Sequence, residues 1–205
     1  MKIGATKKMK RFPDSKVKML QFPVLSEDCN ISHFVTTRQG GVSEGAYASF
    51  NTGEYSGDDP EAVQTNRRLL SEAIGIPFER IFAPFQVHGT MIRPVDPVFL
   101  SLPLDEQRSY LYGVDALVTN VPDVCVAVST ADCVPLLLYA PDVKAVAAVH
   151  AGWRGTALGI VERAVEAMVG HYGCRAKDIV AAIGPGISKC CFETDGESMD
   201  IYIAY

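Results

Sequence analysis

Lys144-Ala145-Val146-Ala147-Ala148-Val149-His150-Ala151-Gly152-Trp153-Arg154-Gly155-Thr156 is the stretch whose reading decides the fold. Ala145 to Val149 are small or β-branched apolar residues and suit a buried strand. Ala151 to Gly155 form a glycine-rich turn. From near Thr156, the residues Leu158, Val161, Val165, Met168 and Tyr172 recur at helical spacing. A buried strand running through a turn into an amphipathic helix predicts a sheet covered by that helix.

Working outward, further apolar runs read as strands: Val114–Thr119, Val124–Thr130 and Val134–Tyr139 before this stretch, and Ile179–Ile183 after it. Ile179–Ile183 leads into Gly184-Pro185-Gly186. Earlier in the chain, Ile31–Thr37 reads as a strand ending in Arg38-Gln39-Gly40-Gly41. Ile81–Val87 reads as another, delivering His88-Gly89. A proline-interrupted stretch from there to about Tyr112 reads as a surface excursion. One more helix is announced by Asp58-Asp59-Pro60-Glu61. Asp59 suits the cap, Pro60 the first helical position and Glu61 the positive end of the dipole. This helix runs to about Ile74 with Gly75 as its stop. Many short strands with two clear helices predict an α+β fold of mixed β-sheets covered by helices.

The chain has 205 residues, 48% hydrophobic and 21% charged, with a formal net charge of −5. No repeat or linker divides it, so it reads as a single domain over 1–205. Residues 1–22 read as a flexible leader or edge segment, and Lys7-Lys8-Met9-Lys10-Arg11 lacks the apolar stretch of a secretory signal. No apolar run reaches the roughly 18 residues of a membrane span. Mild acidity gives no case for nucleic acid. Six cysteines without any Cys-x-x-Cys pattern indicate reduced thiols rather than a disulfide scaffold or metal knuckles. The expectation is a cytoplasmic protein, a monomer or small homo-oligomer, acting on small molecules without nucleic-acid or membrane partners.

Three metal-ligating residue types fall at expected strand ends: His88, Cys133 and His150. Zinc takes imidazole and thiolate together, and three protein ligands with an open position is its catalytic arrangement. Their wide sequence separation leaves the other reading open, in which Cys133 is a small core residue and each histidine bonds a carbonyl. The turn after His150 also has two readings. Gly152 and Gly155 either present backbone N–H groups to an anion at a helix start, with Arg154 and Arg38 as clamps, or simply permit a tight turn. Trp153 reads as packing, with a stacking wall as the alternative. Asp115 and Asp132 are acid–base or supporting candidates, with Asp132 favoured because it adjoins Cys133. Cys125 reads as core, and adjacent Cys190 and Cys191 as structural because neighbouring residues do not converge comfortably on one ion. His171 at a helix end suits the dipole there.

His33-Phe34-Val35-Thr36-Thr37-Arg38-Gln39-Gly40-Gly41-Val42-Ser43, Phe50-Asn51-Thr52-Gly53 and Gly57-Asp58-Asp59-Pro60 stand in order in the first part of the chain. Gln86-Val87-His88-Gly89, Asp115-Ala116-Leu117, Thr130-Ala131-Asp132-Cys133-Val134-Pro135, the segment 150–156, Gly184-Pro185-Gly186-Ile187 and Cys190-Cys191-Phe192-Glu193 follow. Taken in this order, the motifs resemble those of the laccase-domain family, whose members have been called polyphenol oxidases and purine nucleoside phosphorylases. The resemblance covers about residues 33–193. It implies zinc on His88, Cys133 and His150, with copper as the alternative ion. It also implies a fold related to toxin-deamidase-like cysteine hydrolases. The implied activity is phosphorolysis of adenosine, inosine, guanosine and methylthioadenosine, with adenosine deamination besides. Cys133, His150, His88 and Asp132 are the expected catalytic residues. Purine nucleosides and phosphate are the expected partners, with Arg38, Arg154, Gly152 and Gly155 at the phosphate. Two alternatives stand beside this: a copper-dependent polyphenol oxidase using the same residues, and a silent member in which zinc only braces the fold. A cysteine hydrolase with Cys133 as nucleophile is a further one. Four histidines are too few for a conventional multicopper centre. Family members continue for several tens of residues past the position of Glu193. The ending Thr194 to Tyr205 does not resemble that continuation, so an atypical, shortened C-terminus is expected.

Overall fold

The computed structural model describes residues 16–193 and the backbone of Lys2, Ile3, Lys10 and Arg11. The expectations for Lys7 to Met9 and for Thr194 to Tyr205 fall outside the described residues. The chain forms two compact units, one of Met1–Ile3, Phe82–Pro122 and Val126–Tyr205, the other of Gly4–Ile81 and Asp123–Cys125.

The strands in chain order are β1 (Lys2–Ile3), β2 (Lys10–Arg11), β3 (Met19–Gln21), β4 (Val35–Thr36), β5 (Ile81–Phe82), β6 (Ile92–Pro94), β7 (Ala116–Thr119), β8 (Cys125–Val126), β9 (Val134–Ala140), β10 (Ala145–Ala151) and β11 (Val180–Ile183). The helices are α1 (Pro60–Ile74), α2 (Pro97–Leu100), α3 (Leu104–Tyr110), α4 (Trp153–Ala157) and α5 (Ile160–Tyr172). The protein is α+β with mixed sheets, as the sequence predicts.

The first unit is organised by a sheet in the order β1-β11-β9-β10-β7-β6. β10 is central, antiparallel to β9 from Ala145↔Ala140 to Ala151↔Val134 and to β7 from Val146↔Thr119 to Val149↔Ala116. β6 runs parallel to β7, and β11 antiparallel to β9. Alternation along β10 sends Ala145, Ala147, Val149 and Ala151 into a core with Ile160, Ala164 and Met168 of α5. These three helical residues are one turn apart and fully buried, which is what seats α5 on the sheet. The same period of two turns His150 to the opposite face.

In the second unit, α1 begins and ends as expected. Asp59 accepts from the Glu61 N–H, Pro60 opens the helix, and Gly75 closes it with φ 69°. Val63, Asn66 and Leu70 face inward. Asn66 is fully buried and pins the loop of residues 42–51. Its amide donates to Ser43, Ser49 and Asn51, and its oxygen accepts from the Val42 N–H. β3 is the middle of the three-stranded sheet β2-β3-β4, and Val17 and Met19 are buried.

Several expected elements differ. The strand expected over Ile81–Val87 stops at Phe82, because Pro84 has no N–H for a ladder. Val124–Thr130 shrinks to Cys125–Val126, since the Ser129 N–H is taken by the Gln86 side chain at 2.8 Å. Ile31–Thr37 shrinks to Val35–Thr36. The expected surface excursion to Tyr112 contains strand β6, and its Val95 and Phe99 are buried. The helix expected from Thr156 is two helices, broken where Gly159 takes φ 73°.

Candidate metal centre

Sheet topology gathers the site at one end of the first unit. The starts of β6, β7 and β9 and the ends of β10 and β11 share an edge, because β10 and β11 run opposite to the other three. Gly89, Asp115 and Cys133 stand before those starts, while His150, Gly152 and Gly184 stand at those ends. The ladder itself aligns them. The His150 N–H donates to the Asp115 carbonyl at 2.8 Å, and the Gly184 N–H to the Pro135 carbonyl at 2.8 Å.

His88, Cys133 and His150 converge. One donor atom from each lies within 4.8 Å of the others. The two imidazoles meet edge to face, with centroids 4.8 Å apart. His150 is buried, Cys133 half-buried and His88 exposed, so the cluster opens outward on one side. Donor atoms around tetrahedral zinc lie about 3.4–3.8 Å apart, so these need close by only about 1 Å to hold an ion. Two imidazole nitrogens and one sulfur suit zinc or copper alike. A further observation supports the fit. A Cβ built on Gly152 would sit 2.8 Å from His88 Cδ2, 3.4 Å from Cys133 Sγ and 3.5 Å from His150 Cε1. Only glycine leaves that space clear.

Asp115, wholly buried, lies directly behind the cluster. Its Oδ1 accepts from His150 Nδ1 at 2.8 Å and from the His88 N–H at 2.9 Å. Its Oδ2 accepts from the Gly89 N–H at 2.8 Å and the Val87 N–H at 3.3 Å. Burial works to raise the pKa of this carboxyl, but the bonds from His150, Gly89 and Val87 outweigh it and hold it below its ordinary value. Burial raises the Cys133 thiol, aided by the charge and hydrogen bond of Asp132 and the charge of Asp115. Without a cation this sulfur keeps its proton, which weakens the reading of Cys133 as a free nucleophile. Gln86 clamps the two ligand loops together. Its amide donates to the Ser129 carbonyl, and its oxygen accepts from the Ser129 N–H, both at 2.8 Å.

Other expected residues fall in different places. Asp132 is exposed beside the Cys133 thiol, and its carbonyl accepts from the Ile187 N–H at 2.7 Å. The supporting carboxylate is Asp115, not the favoured Asp132, because pairing across β7 and β10 outranks adjacency in sequence. Gly155 is buried, with the Gly89 carbonyl 2.7 Å from where its Cβ would stand, so it lets α4 press on the His88 loop. Arg154 is exposed and lies over the Trp153 ring at 4.6 Å. Arg38, in the other unit, donates from Nε to the Ala48 carbonyl at 2.8 Å. His33 is buried in that unit against the Phe22 backbone, and His171 is exposed at the end of α5. Cys125 has its thiol pushed up to about 12 by burial. Cys190 and Cys191 are exposed, with their sulfurs 3.4 Å apart. Gln86 carried no weight in the sequence, since an amide clamp has no residue-type signature.

A mixed α+β scaffold whose sheet edge gathers two histidines and a cysteine in front of a buried carboxylate defines a metal-competent centre. The chain belongs to the multi-copper polyphenol oxidoreductase laccase family, whose model matches residues 32–204. It is 45% identical over 185 residues to a purine nucleoside phosphorylase of Bacteroides thetaiotaomicron, covering 90% of this chain and 68% of that protein. It is 37% identical over 172 residues to adenosine deaminase RL5 of an unknown prokaryotic organism, covering 84% of this chain and 65% of that protein. The crystal structure of YlmD from Geobacillus stearothermophilus superposes with a TM-score of 0.82 at 34% identity, covering 94% of this chain and 70% of that one. The chain thus spans about two thirds of the length of these relatives. Among the described residues, no helix is long and apolar enough to cross a membrane.

Proposed function

We propose that this chain is a metal-dependent purine nucleoside phosphorylase of broad specificity, with adenosine deamination as a second activity. The observation that carries the reading is the convergence of His88, Cys133 and His150 within 4.8 Å at an outward-opening sheet edge. The names of its relatives, purine nucleoside phosphorylase and adenosine deaminase, point the same way. His88, Cys133 and His150 hold the ion, zinc in this reading, which supplies Lewis acidity when bound.

In phosphorolysis, a phosphate oxygen bonds to the ribose anomeric carbon as the bond to the purine nitrogen breaks. The electron pair leaves with the base, which takes up a proton. Arg154, exposed in the short helix α4 that follows β10, binds the phosphate as a charge-assisted donor. In deamination, water adds to the ring carbon bearing the amine and ammonia departs. Asp132, exposed beside Cys133, takes the proton from the water oxygen and returns it to the leaving nitrogen.

Base release from adenosine and inosine, followed by chromatography with and without phosphate, tests this. Phosphate-dependent formation of ribose 1-phosphate is expected from the wild type, lost in Cys133→Ala, with a raised phosphate KM in Arg154→Ala. A folded, metal-loaded wild type that releases no base overturns the reading. The family's description favours a second one, phenol oxidation through copper on the same three residues. Oxygen uptake with a phenol, together with metal content, separates the two. Among the described residues only two imidazoles converge, fewer than a multicopper centre requires.

A further inference from the structure

We infer that Asp115 is the positioning residue of this centre, a single carboxylate that sets two of the three ligands by different means. The inference rests on the reading of His88, Cys133 and His150 as a metal site. Both oxygens of Asp115 are used twice, by His150 Nδ1 and the His88 N–H on Oδ1 and by the Gly89 and Val87 N–H groups on Oδ2. Its backbone is held as well, donating to the Met91 carbonyl at 2.9 Å and accepting from the His150 N–H at 2.8 Å. The carboxylate is therefore a fixed point rather than a mobile side chain.

Toward His150 it acts through the side chain. A carboxylate only accepts, so the imidazole carries its proton on Nδ1 and turns the Nε2 lone pair outward to the ion. Toward His88 it acts through the backbone. His88 has φ 61°, a left-handed conformation that a residue with a Cβ avoids. The N–H groups of Val87, His88 and Gly89 converge on the carboxylate only in this bent form, the nest that backbone amides make around an anion. Release of the carboxylate lets the loop relax and carries the His88 ring away from Cys133 and His150. One buried charge thus couples the rigid ligand to the loop-borne one.

The test compares metal-free wild type, Asp115→Asn and Asp115→Glu as full chains. Zinc affinity is read by competition with a chromophoric chelator, the cobalt(II) ligand-field spectrum is recorded, and urea unfolding of the metal-free proteins is measured separately. Asp115→Asn is expected to weaken zinc by about 10- to 100-fold and to shift the cobalt bands. Asp115→Glu should recover part of the affinity. A structural brace alone would lower the urea midpoint and leave the cobalt spectrum of the folded fraction unchanged, which overturns the inference. Unchanged zinc affinity in a folded Asp115→Asn overturns it too. A wild type that binds neither zinc nor cobalt overturns the metal reading and this inference with it. Should Asp115→Asn fail to fold, the ¹⁵N tautomer signature of His150 in the wild type decides: Nδ1–H is expected, and Nε2–H overturns the inference.

Discussion

The two histidines of the centre belong to different kinds of structure. His150 lies within β10, 3% exposed, paired across the ladder with Pro135 and bonded to Asp115 through both backbone and ring. His88 lies in no strand, is exposed, and holds a left-handed backbone whose N–H leans on the same carboxylate. One ligand comes with the sheet, and the other is held against its own backbone preference. The contrast teaches that the strand half of such a site carries no left-handed backbone, whereas the loop half stores strain that ligand binding and Asp115 offset.

The sharpest way to break this comparison is to remove each histidine and read metal binding and stability together. His150→Ala should abolish tight zinc binding and lower metal-free stability by about 2–3 kcal/mol, because the buried Asp115 carboxylate loses the hydrogen bond from His150 Nδ1. His88→Gly should lose zinc comparably yet leave metal-free stability unchanged or raised by about 1 kcal/mol, since glycine accepts the left-handed backbone. Equal destabilisation in urea titrations would erase the distinction.

A smaller effect is expected at Gly152, where an added Cβ falls nearest the His88 ring. Gly152→Ala should reduce zinc affinity about tenfold by displacing the movable histidine, at a cost of less than about 1 kcal/mol in metal-free stability. Isothermal titration with zinc beside a urea curve checks both numbers. A collapse of stability would mean the loop is as rigid as the strand.

The smallest effect concerns a third histidine, with no ligand role. His33 is buried in the other unit, and desolvation lowers its pKa against the opposing bond to Phe22. Its neutral form is the folded one. Its contribution is therefore complete above the unfolded pKa near 6.5 and is lost as pH falls through the lower folded value. Urea midpoints of the metal-free protein should decline from pH 7 to pH 5, and His33→Gln should flatten that decline. An unaltered slope would show that His33 does not titrate on unfolding.

Local chemistry was legible along the chain. The Asp59-Pro60-Glu61 start and Gly75 stop of α1 need only side chains and backbone a few residues apart, so they were readable to the residue. The β10 run and the helical spacing of α5 were readable because burial imposes a period on each. The three ligand types stood out by chemistry, and the order of motifs tied them to a family. Long-range choices were not legible. Pro84 and Gln86 shortened two expected strands by withholding or diverting a ladder N–H. Asp132 drew attention by adjacency to Cys133, while Asp115, distant in sequence from both His88 and His150, holds the position behind them.

By itself the sequence determined which residues can bind a metal, where α1 begins and ends, and which runs must be buried, because these depend on side-chain type and short-range geometry. Only the tertiary structure decided that His88, Cys133 and His150 share one edge and that a single carboxylate reaches two of them. That outcome depends on strand order and direction, and pairing between distant segments is set by packing of the whole sheet rather than by any local pattern.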